Sequence, residues 1–309
     1  MSETAFIIAT YQSEPFIRQA LDSILLHEPS SCIIIVDNGS NDNTIKILSQ
    51  YENIIVLPQN KNLGFGKANN IGIKKALEIG CTYIYLLNHD AFLIEPVIEI
   101  LKSILSDNPK IGVISPFQLQ SNMLNLEPNF ERFMYQSGVL NQYFADTQKR
   151  ELPQVYNPVF VQAASWFLPV NVVKIVGGFD PIFFHYGEDN NFLNRLKYHG
   201  FTIAVAPSLK ICHYTNPTKV GYKTDYGPYH LLRLKALHLV EYTDINKPFI
   251  PKKYFVDLIL NLSSILKSVL TLQFKRVPGQ IKHFCMMIEY YKSILLARKI
   301  TMRGKGCYL

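Results

Sequence analysis

Two acidic stretches of this chain carry the residue types best suited to chemistry. The first, Leu86-Leu87-Asn88-His89-Asp90, leads from an apolar strand into a carboxylate, and the second is Gly187-Glu188-Asp189. A carboxylate after a buried strand can help to hold a divalent cation with a diphosphate, because such ions take oxygen ligands. An acidic pair that enters a helix can deprotonate an acceptor. The pattern indicates a transferase that uses an activated phosphate donor.

The acidic pair has a helical pattern behind it. Asp189 shares a helix face with Phe192, Leu193 and Leu196, which predicts that Asp189 is the acid that turns inward and acts as the general base. Stabilisation of the helix dipole by acids in the first turn is the alternative. Asp90 could instead cap a helix, but Glu95-Pro96 already fills that position.

Two further polar segments follow predicted strands. Asp37 lies beyond a strand end, where open α/β sheets bind ligands, so it is placed for a nucleoside; alternatively it only organises an Asp-Asn-Gly turn. The segment 62–70 leads into a helix, where backbone N–H groups favour an anion. Its glycines match neither a P-loop nor a dinucleotide fingerprint. A tight connection between strand and helix is equally compatible with it.

Composition limits the class of protein. The chain has 309 residues, 48% of them apolar, which is enough for one large core and an appendage. Residues 1–247 carry 20 basic and 22 acidic side chains, whereas residues 248–309 carry 11 basic and only two acidic ones. The positive charge is attached to apolar helices and not to a groove with stacking aromatics, which argues against nucleic acid as a partner.

Cysteine usage and the first residues bear on the compartment. The five cysteines are widely spaced without a C-x-x-C unit, which argues against disulfides and zinc. The first residues lack the basic start and long apolar stretch of a secretory signal. We therefore expect the catalytic part to be cytoplasmic.

Apolar runs that alternate with helical patterns predict an α/β fold with a mostly parallel sheet covered by helices. The predicted strands are residues 5–9, 32–36, 54–57, 83–88, 111–115, 159–168, 202–206 and 210–214. The predicted helices begin near residues 15, 42, 66, 95, 171 and 188. Residues 117–157 are predicted to form loops over the site. The catalytic domain is predicted over residues 1–247, with a nucleotide-binding half (1–116) and an acceptor-binding half (117–247).

Seven short motifs, taken in chain order, resemble the family 2 glycosyltransferases, particularly their rhamnosyltransferase-like branch. They are Ala9-Thr10-Tyr11, Val36-Asp37-Asn38-Gly39-Ser40, Asn62-Leu63-Gly64-Phe65, Asn69-Asn70-Ile71-Gly72, Asn88-His89-Asp90, Val176-Gly177-Gly178-Phe179-Asp180 and Glu188-Asp189. The resemblance covers residues 3–215. It implies the GT-A fold, a nucleotide-diphosphate sugar donor such as dTDP-rhamnose or a UDP-sugar, a Mg²⁺ or Mn²⁺ ion, and inversion at the anomeric carbon.

The resemblance also implies a role for each site residue. Asp189 matches the catalytic base, and Asp90 with His213 would bind the metal. The implied donor-binding residues are Thr10, Tyr11, Asp37, Asn62, Lys67, Asn70 and Asn88. The residues expected in the acceptor pocket are Trp166, Phe184, Tyr186 and Glu188. The chain departs from the family's usual Asp-x-Asp triplet, which begins here with Asn88, and this departure predicts a lower metal affinity.

The basic tail, residues 248–309, has the pattern of amphipathic helices. Residues 254–274 are apolar but interrupted by polar side chains, which disfavours a membrane span and favours a helix at the membrane interface. Residues 280–299 mix apolar and basic side chains in the same way. We expect the tail to bind the anionic inner face of the cell membrane, near a lipid-linked glycan acceptor. Packing on the catalytic domain or on another subunit of a homo-oligomer is the alternative.

Two other functions fit parts of the pattern. A sugar nucleotidyltransferase also places a metal-bound nucleotide on an α/β sheet, but its Gly- and Arg/Lys-rich phosphate loop is missing after Ala9. A catalytically inactive scaffold of the same fold is the other alternative. The principal prediction is an inverting, metal-dependent glycosyltransferase in the synthesis of a surface polysaccharide.

Overall fold

The computed structural model describes residues 2–214, 226–303 and 306–309. Its eight strands are β1 (Thr4–Thr10), β2 (Cys32–Asp37), β3 (Ile54–Pro58), β4 (Tyr83–Leu87), β5 (Ala91–Leu93), β6 (Ile111–Leu119), β7 (Ser165–Pro169) and β8 (Thr202–His213). They form one sheet in the order β3-β2-β1-β4-β7-β6-β8-β5. Strands β1 to β4 are parallel to one another, as is β6 to β8, whereas β7 and β5 run antiparallel to their neighbours.

Helices cover both faces of the sheet. In the first half they are α1 (Ile17–His27), α2 (Thr44–Leu48), α3 (Phe65–Glu78) and α4 (Ile98–Asp107). In the second half they are α5 (Pro128–Gln136), α6 (Val139–Lys149), α7 (Val170–Val176) and α8 (Glu188–Tyr198). The described part ends in α9 (Pro228–Thr243), α10 (Pro251–Leu270) and α11 (Val277–Met302).

Buried side chains of the central strands alternate between two cores. Ile7 and Ile34 belong to one apolar cluster, while Phe6 and Ile8 belong to the cluster on the opposite face. Successive side chains of a strand point to opposite faces, so a strand that is apolar at every position must be covered on both. The predicted α/β fold with a mostly parallel sheet is confirmed.

Two predictions about the second half were wrong. Residues 117–157 are not loops throughout, because they contain α5 and α6. Helix α5 begins where the Glu127 carboxylate accepts a hydrogen bond from the N–H of Phe130 and Pro128 occupies the first turn. The predicted strand 159–168 is strand only from Ser165, because the chain turns at residues 163 and 164.

Three elements were missed or divided in the prediction. The two strands predicted within 202–214 are one strand, β8, with an irregular register near Pro116 and Phe117 of β6. The short strand β5 and the helix α9 were not predicted. The predicted catalytic part, residues 1–247, also contains residues 215–225, which lie outside the described residues, and its boundary at 247 stays a prediction.

The tail packs on the second half of the sheet domain through a cluster of its own. Phe183, from the loop before α8, is buried together with Leu239 of α9, Tyr254 of α10 and Ile294 of α11. Burial of one such apolar side chain contributes roughly 1.5–3 kcal/mol. None of the helices in the described ranges combines the length and apolarity needed to cross a membrane.

Candidate active site

Asp37 is the last residue of β2, and both of its carboxylate oxygens accept hydrogen bonds from protein groups. Its Oδ1 accepts hydrogen bonds from the Thr10 hydroxyl (2.9 Å) and the Ser40 hydroxyl (2.6 Å), and its Oδ2 accepts from the N–H groups of Gly39 (3.1 Å) and Ser40 (3.0 Å). Asp37 is 2% exposed. The carboxylate therefore organises the strand-end turn, and its predicted contact with a nucleoside stays a prediction. Tyr11 next to it has an exposed ring.

The segment between Asn62 and Asn70 joins the two halves of the site. The Asn62 carboxamide accepts a hydrogen bond from the Gly64 N–H (2.8 Å), and Lys67 is exposed. Asn70 accepts from the Phe179 N–H (2.7 Å) and donates to the Phe179 carbonyl (2.8 Å). Both ends of the Asn70 carboxamide thus bind protein, and its predicted contact with the donor stays a prediction.

Two glycines of this segment allow the close approach. A Cβ at Gly64 would lie 2.1 Å from the Phe184 carbonyl oxygen, and φ at Gly64 is +87°. A Cβ at Gly66 would lie 2.9 Å from Cβ of Phe179 and 3.7 Å from Cβ of Glu188. These glycines are needed because the donor-side loop packs directly against the loop that leads to the acidic pair.

Strand β5 brings Asp90 and His213 together. Ala91 is the register partner of His213, so the antiparallel pairing of β5 with β8 places the residue before Ala91 beside the imidazole. His213 Nε2 lies 3.4 Å from Asp90 Oδ1 and 3.4 Å from Asn88 Nδ2. The two predicted metal-binding residues, 123 positions apart in the chain, therefore meet at one end of the sheet.

The groups around Asp90 fit a divalent cation. Asn88 Oδ1 and Asp90 Oδ1 are buried and have no well-directed hydrogen bond within the described residues, although His213 Nε2 lies 3.4 Å from Asp90 Oδ1. Oxygens and an imidazole suit Mn²⁺ or Mg²⁺. No three His, Cys, Asp or Glu side chains converge on a metal site in the described residues. Burial raises the pKa of Asp90, but His213 outweighs it and the net pKa is lowered.

Behind His213 lies a buried polar network that the sequence did not reveal. Gln162 Nε2 donates to Gln118 Oε1 (2.8 Å) and to Glu127 Oε2 (2.7 Å), and lies 3.5 Å from His213 Nδ1. Gln118 and Glu127 have no exposed surface. The network fixes the carboxamide of Gln162 against the imidazole, on the side away from Asp90. Its members come from β6, the start of α5 and the turn before β7, so no local motif could have indicated it.

The acidic pair opens α8 and its members differ in environment. Glu188 is 6% exposed, and its Oε2 has no hydrogen-bond partner among the residues that the structure describes. Asp189 is partly buried and accepts hydrogen bonds from the Asn190 N–H (2.7 Å) and carboxamide (3.2 Å). Burial, with a smaller contribution from Asp189, raises the pKa of Glu188 to about 8. Burial also raises the pKa of Asp189, although hydrogen bonds from Asn190 and the Ala163 backbone oppose the rise. The pKa of both carboxyls is thus raised, and of the two it is Asp189 whose ionised form the Asn190 N–H and carboxamide stabilise.

The prediction that only Asp189 turns inward was wrong. The face of α8 that carries Glu188 is buried too, with Asn191 2% and Arg195 1% exposed. The Asn191 carboxamide donates to the Thr243 hydroxyl (3.0 Å), because α9 covers this face. Helix α9 was not predicted, so its cover on this face was missed.

Glu188 predicts a pH dependence of stability. An unfolded glutamate titrates near pH 4.3, whereas Glu188 in the folded chain titrates at about 8. The folded state binds more protons in this window, so stability falls as the pH rises through it. We expect Glu188→Gln to remove this component, so that melting temperatures measured between about pH 5 and pH 8 decline less in the variant than in the wild type. Parallel declines would contradict the assignment.

One turn, Gln162-Ala163-Ala164, connects all the parts of the site. The Gln162 side chain meets His213, the Ala163 N–H binds the Asp189 carboxylate, and the Ala164 carbonyl accepts from the Asn88 N–H (2.9 Å). Three consecutive residues thus contact His213, Asn88 and the predicted base. The structure brings together the two acidic stretches from which the sequence indicated chemistry.

The aromatic residues predicted for the acceptor pocket divide into two groups. Trp166 has no exposed surface and packs on Phe179 and Phe192 in the core, so its predicted place in the pocket was wrong. Phe184 and Tyr186 are 49% and 39% exposed, and Tyr186 meets Tyr229 of α9 edge to face. Trp166 sits on β7 in the middle of the sheet, where both faces are covered.

A family model described as "Glycosyl transferase family 2" matches residues 5–167 of this chain. An N-acetylglucosaminyl-diphospho-decaprenol L-rhamnosyltransferase from Mycobacterium tuberculosis is 25% identical over 67% of this chain and 75% of its own length. The dTDP-rhamnosyl transferase RfbF from Shigella flexneri is 22% identical over 96% of this chain and 95% of its own. Another relative, a UDP-N-acetylglucosamine–dolichyl-phosphate N-acetylglucosaminyltransferase from Methanococcus voltae, is 26% identical; the match covers 39% of this chain and only 54% of that protein.

Among solved structures, the mannosyltransferase PcManGT from Pyrobaculum calidifontis in complex with GDP-Man and Mn²⁺ has a similar fold. The two superpose with a TM-score of 0.55 at 14% identity, over 97% of this chain and 84% of that one. At this identity the likeness concerns the fold alone. Together with the sheet order, it confirms the predicted GT-A fold.

Proposed function

Because this chain belongs to glycosyl transferase family 2, we propose that it transfers a sugar from a nucleotide-diphosphate donor to a hydroxyl group of a glycan acceptor, with inversion, in surface polysaccharide biosynthesis. The observation that carries the proposal is the turn 162–164, which holds Asp189, Asn88 and His213 within one site. A single displacement needs a base on one side of the reacting carbon and a stabilised leaving group on the other.

Asp189 is the proposed base. It takes the proton of the acceptor hydroxyl as the hydroxyl oxygen forms a bond to the anomeric carbon and the bond from that carbon to the diphosphate breaks. Glu188 stays protonated behind it, so the pair does not place two negative charges in a buried space. Asp90 and His213 are the proposed ligands of Mg²⁺ or Mn²⁺, which when bound neutralises charge on the diphosphate.

The donor is proposed to be dTDP-rhamnose or a UDP-sugar. The rhamnosyltransferases from M. tuberculosis and S. flexneri support the former, since the second of them matches nearly the whole chain. The test is a panel of dTDP-, UDP- and GDP-sugars with Mn²⁺ and a lipid-linked glycan acceptor, followed by NMR of the product's anomeric proton. An inverted product from one donor supports the proposal. Pyrophosphorolysis would instead indicate a nucleotidyltransferase, and absence of both reactions a scaffold.

We also propose that the tail docks on an anionic membrane from the cytoplasmic side. Helix α10 carries large apolar side chains that are exposed in the described structure, namely Phe255, Ile259, Leu262, Leu266 and Leu270. Exposed lysines accompany them, including Lys267 and Lys282. An apolar face bordered by basic side chains suits a surface of anionic lipid, and a lipid-linked acceptor would lie in the same surface.

Vesicle flotation tests the docking proposal. We expect the protein to float with vesicles that contain anionic phospholipid and not with neutral ones. The double variant Leu266→Ser/Leu270→Ser should lower the bound fraction about tenfold or more, since each leucine loses its transfer into the lipid. Leu26→Ser is the matched control, because Leu26 is a comparably exposed leucine on α1. Equal binding of all three proteins would contradict docking through α10.

A further inference from the structure

The last described residues of the chain, Gly306–Leu309, pack against the Gly-Gly turn of the motif Val176–Asp180. The Gly178 N–H donates to the Cys307 carbonyl (2.8 Å), and the Cys307 thiol contacts the Val176 carbonyl (3.4 Å). This turn lies between α7 and the loop that leads to the acidic pair. Residues 306–309 therefore pack against the turn that precedes the loop to the acidic pair.

The two glycines of the turn make room for this segment. A Cβ at Gly177 would lie 2.2 Å from the Cys307 carbonyl oxygen, and φ at Gly177 is +86°. A Cβ at Gly178 would lie 2.5 Å from Oδ1 of Asn70 and 2.8 Å from Cδ2 of Leu309. Atoms of residues 307–309, together with Asn70 at Gly178, therefore occupy the space that any larger residue would need. The glycines fit this contact and need no role in binding a phosphate.

Tyr308 completes the hydrogen bonding of a buried carboxyl. Its hydroxyl donates to Asp180 Oδ2 (2.9 Å), while Asp180 Oδ1 accepts from the Ile182 N–H (3.0 Å). Asp180 is 2% exposed, so loss of the hydroxyl leaves a buried oxygen without this partner. Asp180 begins the loop that carries Phe184 and Tyr186 and ends at Glu188.

The same segment contacts two helices, α8 and α3. The Arg195 guanidinium of α8 donates to the carbonyls of Val176 (2.6 Å) and Gly178 (2.5 Å), and lies 5.4 Å from the centre of the Tyr308 ring. The Tyr308 carbonyl accepts from the Asn70 carboxamide (3.1 Å). Tyr308 therefore contacts α8, whose first turn carries Asp189, and α3 of the first half of the sheet domain.

We propose that residues 307–309 are a positioning segment that holds the loop 177–187, and through it the start of α8, at the geometry that Asp189 needs for proton transfer. The tail holds this loop at two points, since Phe183 is buried among α9, α10 and α11 and the turn at Gly177 rests on Cys307. The inference rests on the proposed function, because it concerns the placement of the proposed base. Residues remote from the substrate would in this way affect kcat.

The test compares Tyr308→Phe, Tyr308→Ala and the control Thr301→Val. Tyr308→Phe removes the hydroxyl from Asp180 but keeps the ring beside Arg195. Thr301→Val removes another partner of the same hydroxyl, at 3.3 Å, and leaves Asp180 untouched. We expect kcat to fall roughly 10-fold in Tyr308→Phe and roughly 100-fold in Tyr308→Ala, because small displacements of a catalytic group are costly. The KM for the donor should stay within about twofold, and Thr301→Val should match the wild type.

Hydrogen–deuterium exchange supplies a readout that needs no turnover. Amides of residues 177–190 should exchange faster in both Tyr308 variants, while amides of β1 and β2 keep their wild-type rates. Faster exchange with an unchanged kcat would overturn the positioning role, as would a loss confined to overall stability and to KM. If the wild type transfers no sugar but the exchange pattern is as expected, the proposed function fails and the contact of this segment with the loop stands.

Discussion

Asp189→Asn is expected to lower kcat by about a thousandfold, because a carboxamide cannot take the proton of the acceptor hydroxyl. The substitution keeps the size of the side chain and leaves an oxygen to accept from the N–H groups of Asn190 and Ala163. Donor affinity should therefore change little. The measurements are initial rates at saturating donor and acceptor, with calorimetric titration of the nucleoside diphosphate.

The neighbouring acid provides the control for this prediction. Glu188→Gln replaces a carboxyl whose pKa burial raises to about 8, so the neutral carboxamide resembles its protonated form. We expect it to retain most of the wild-type kcat. If Glu188→Gln abolished transfer while Asp189→Asn remained active, the base would be Glu188, and the assignment of roles within the pair would be reversed.

Asp90→Asn should weaken the binding of Mn²⁺ by at least about 10-fold. Removal of even indirect partners of a metal site typically lowers metal affinity by about 10- to 100-fold. The reason is the loss of the one carboxylate charge in a group otherwise made of Asn88 and His213. Free Mn²⁺ measured by electron paramagnetic resonance, with and without nucleoside diphosphate, gives the affinity directly. The metal concentration needed for half-maximal transfer should rise in parallel.

Asp107→Asn serves as the matched control for Asp90→Asn, since Asp107 is exposed at the end of α4 and should not affect Mn²⁺ binding. Equal affinity of the wild type and the Asp90 variant would place the metal elsewhere. Loss of transfer without loss of Mn²⁺ binding would give Asp90 a different role, such as a contact with the donor itself.

The strand pattern of the first half was predictable because it is local. Residues 5–9 and 32–36 are apolar at every position, which requires a strand covered on both faces, and β1 and β2 have this arrangement. Strands of a parallel sheet bring their carboxyl ends to one edge, so the position of Asp37 beyond a strand end was enough to predict its place at that edge. Helices α5 and α6 escaped prediction because their aromatic and polar residues show no clear repeat.

The environment of the acids was not predictable, since it depends on residues far away in the chain. Glu188 is buried by Gly66 from the donor half and by the loop before it, and α9 covers the same face of α8 through Thr243. The polar network behind His213 likewise draws Gln118, Glu127 and Gln162 from three elements.

From the sequence by itself follow the α/β fold, the two acidic stretches and the family, because each depends on periodicity or on short motifs within one segment. Only the tertiary structure decided that Trp166 belongs to the core, that Asn70 of α3 binds the backbone of Phe179, and that burial raises the pKa of Glu188. Burial and hydrogen bonding set these roles, and both arise from neighbours that the fold supplies. The pairing of β5 with β8, which unites Asp90 and His213, is the same kind of decision.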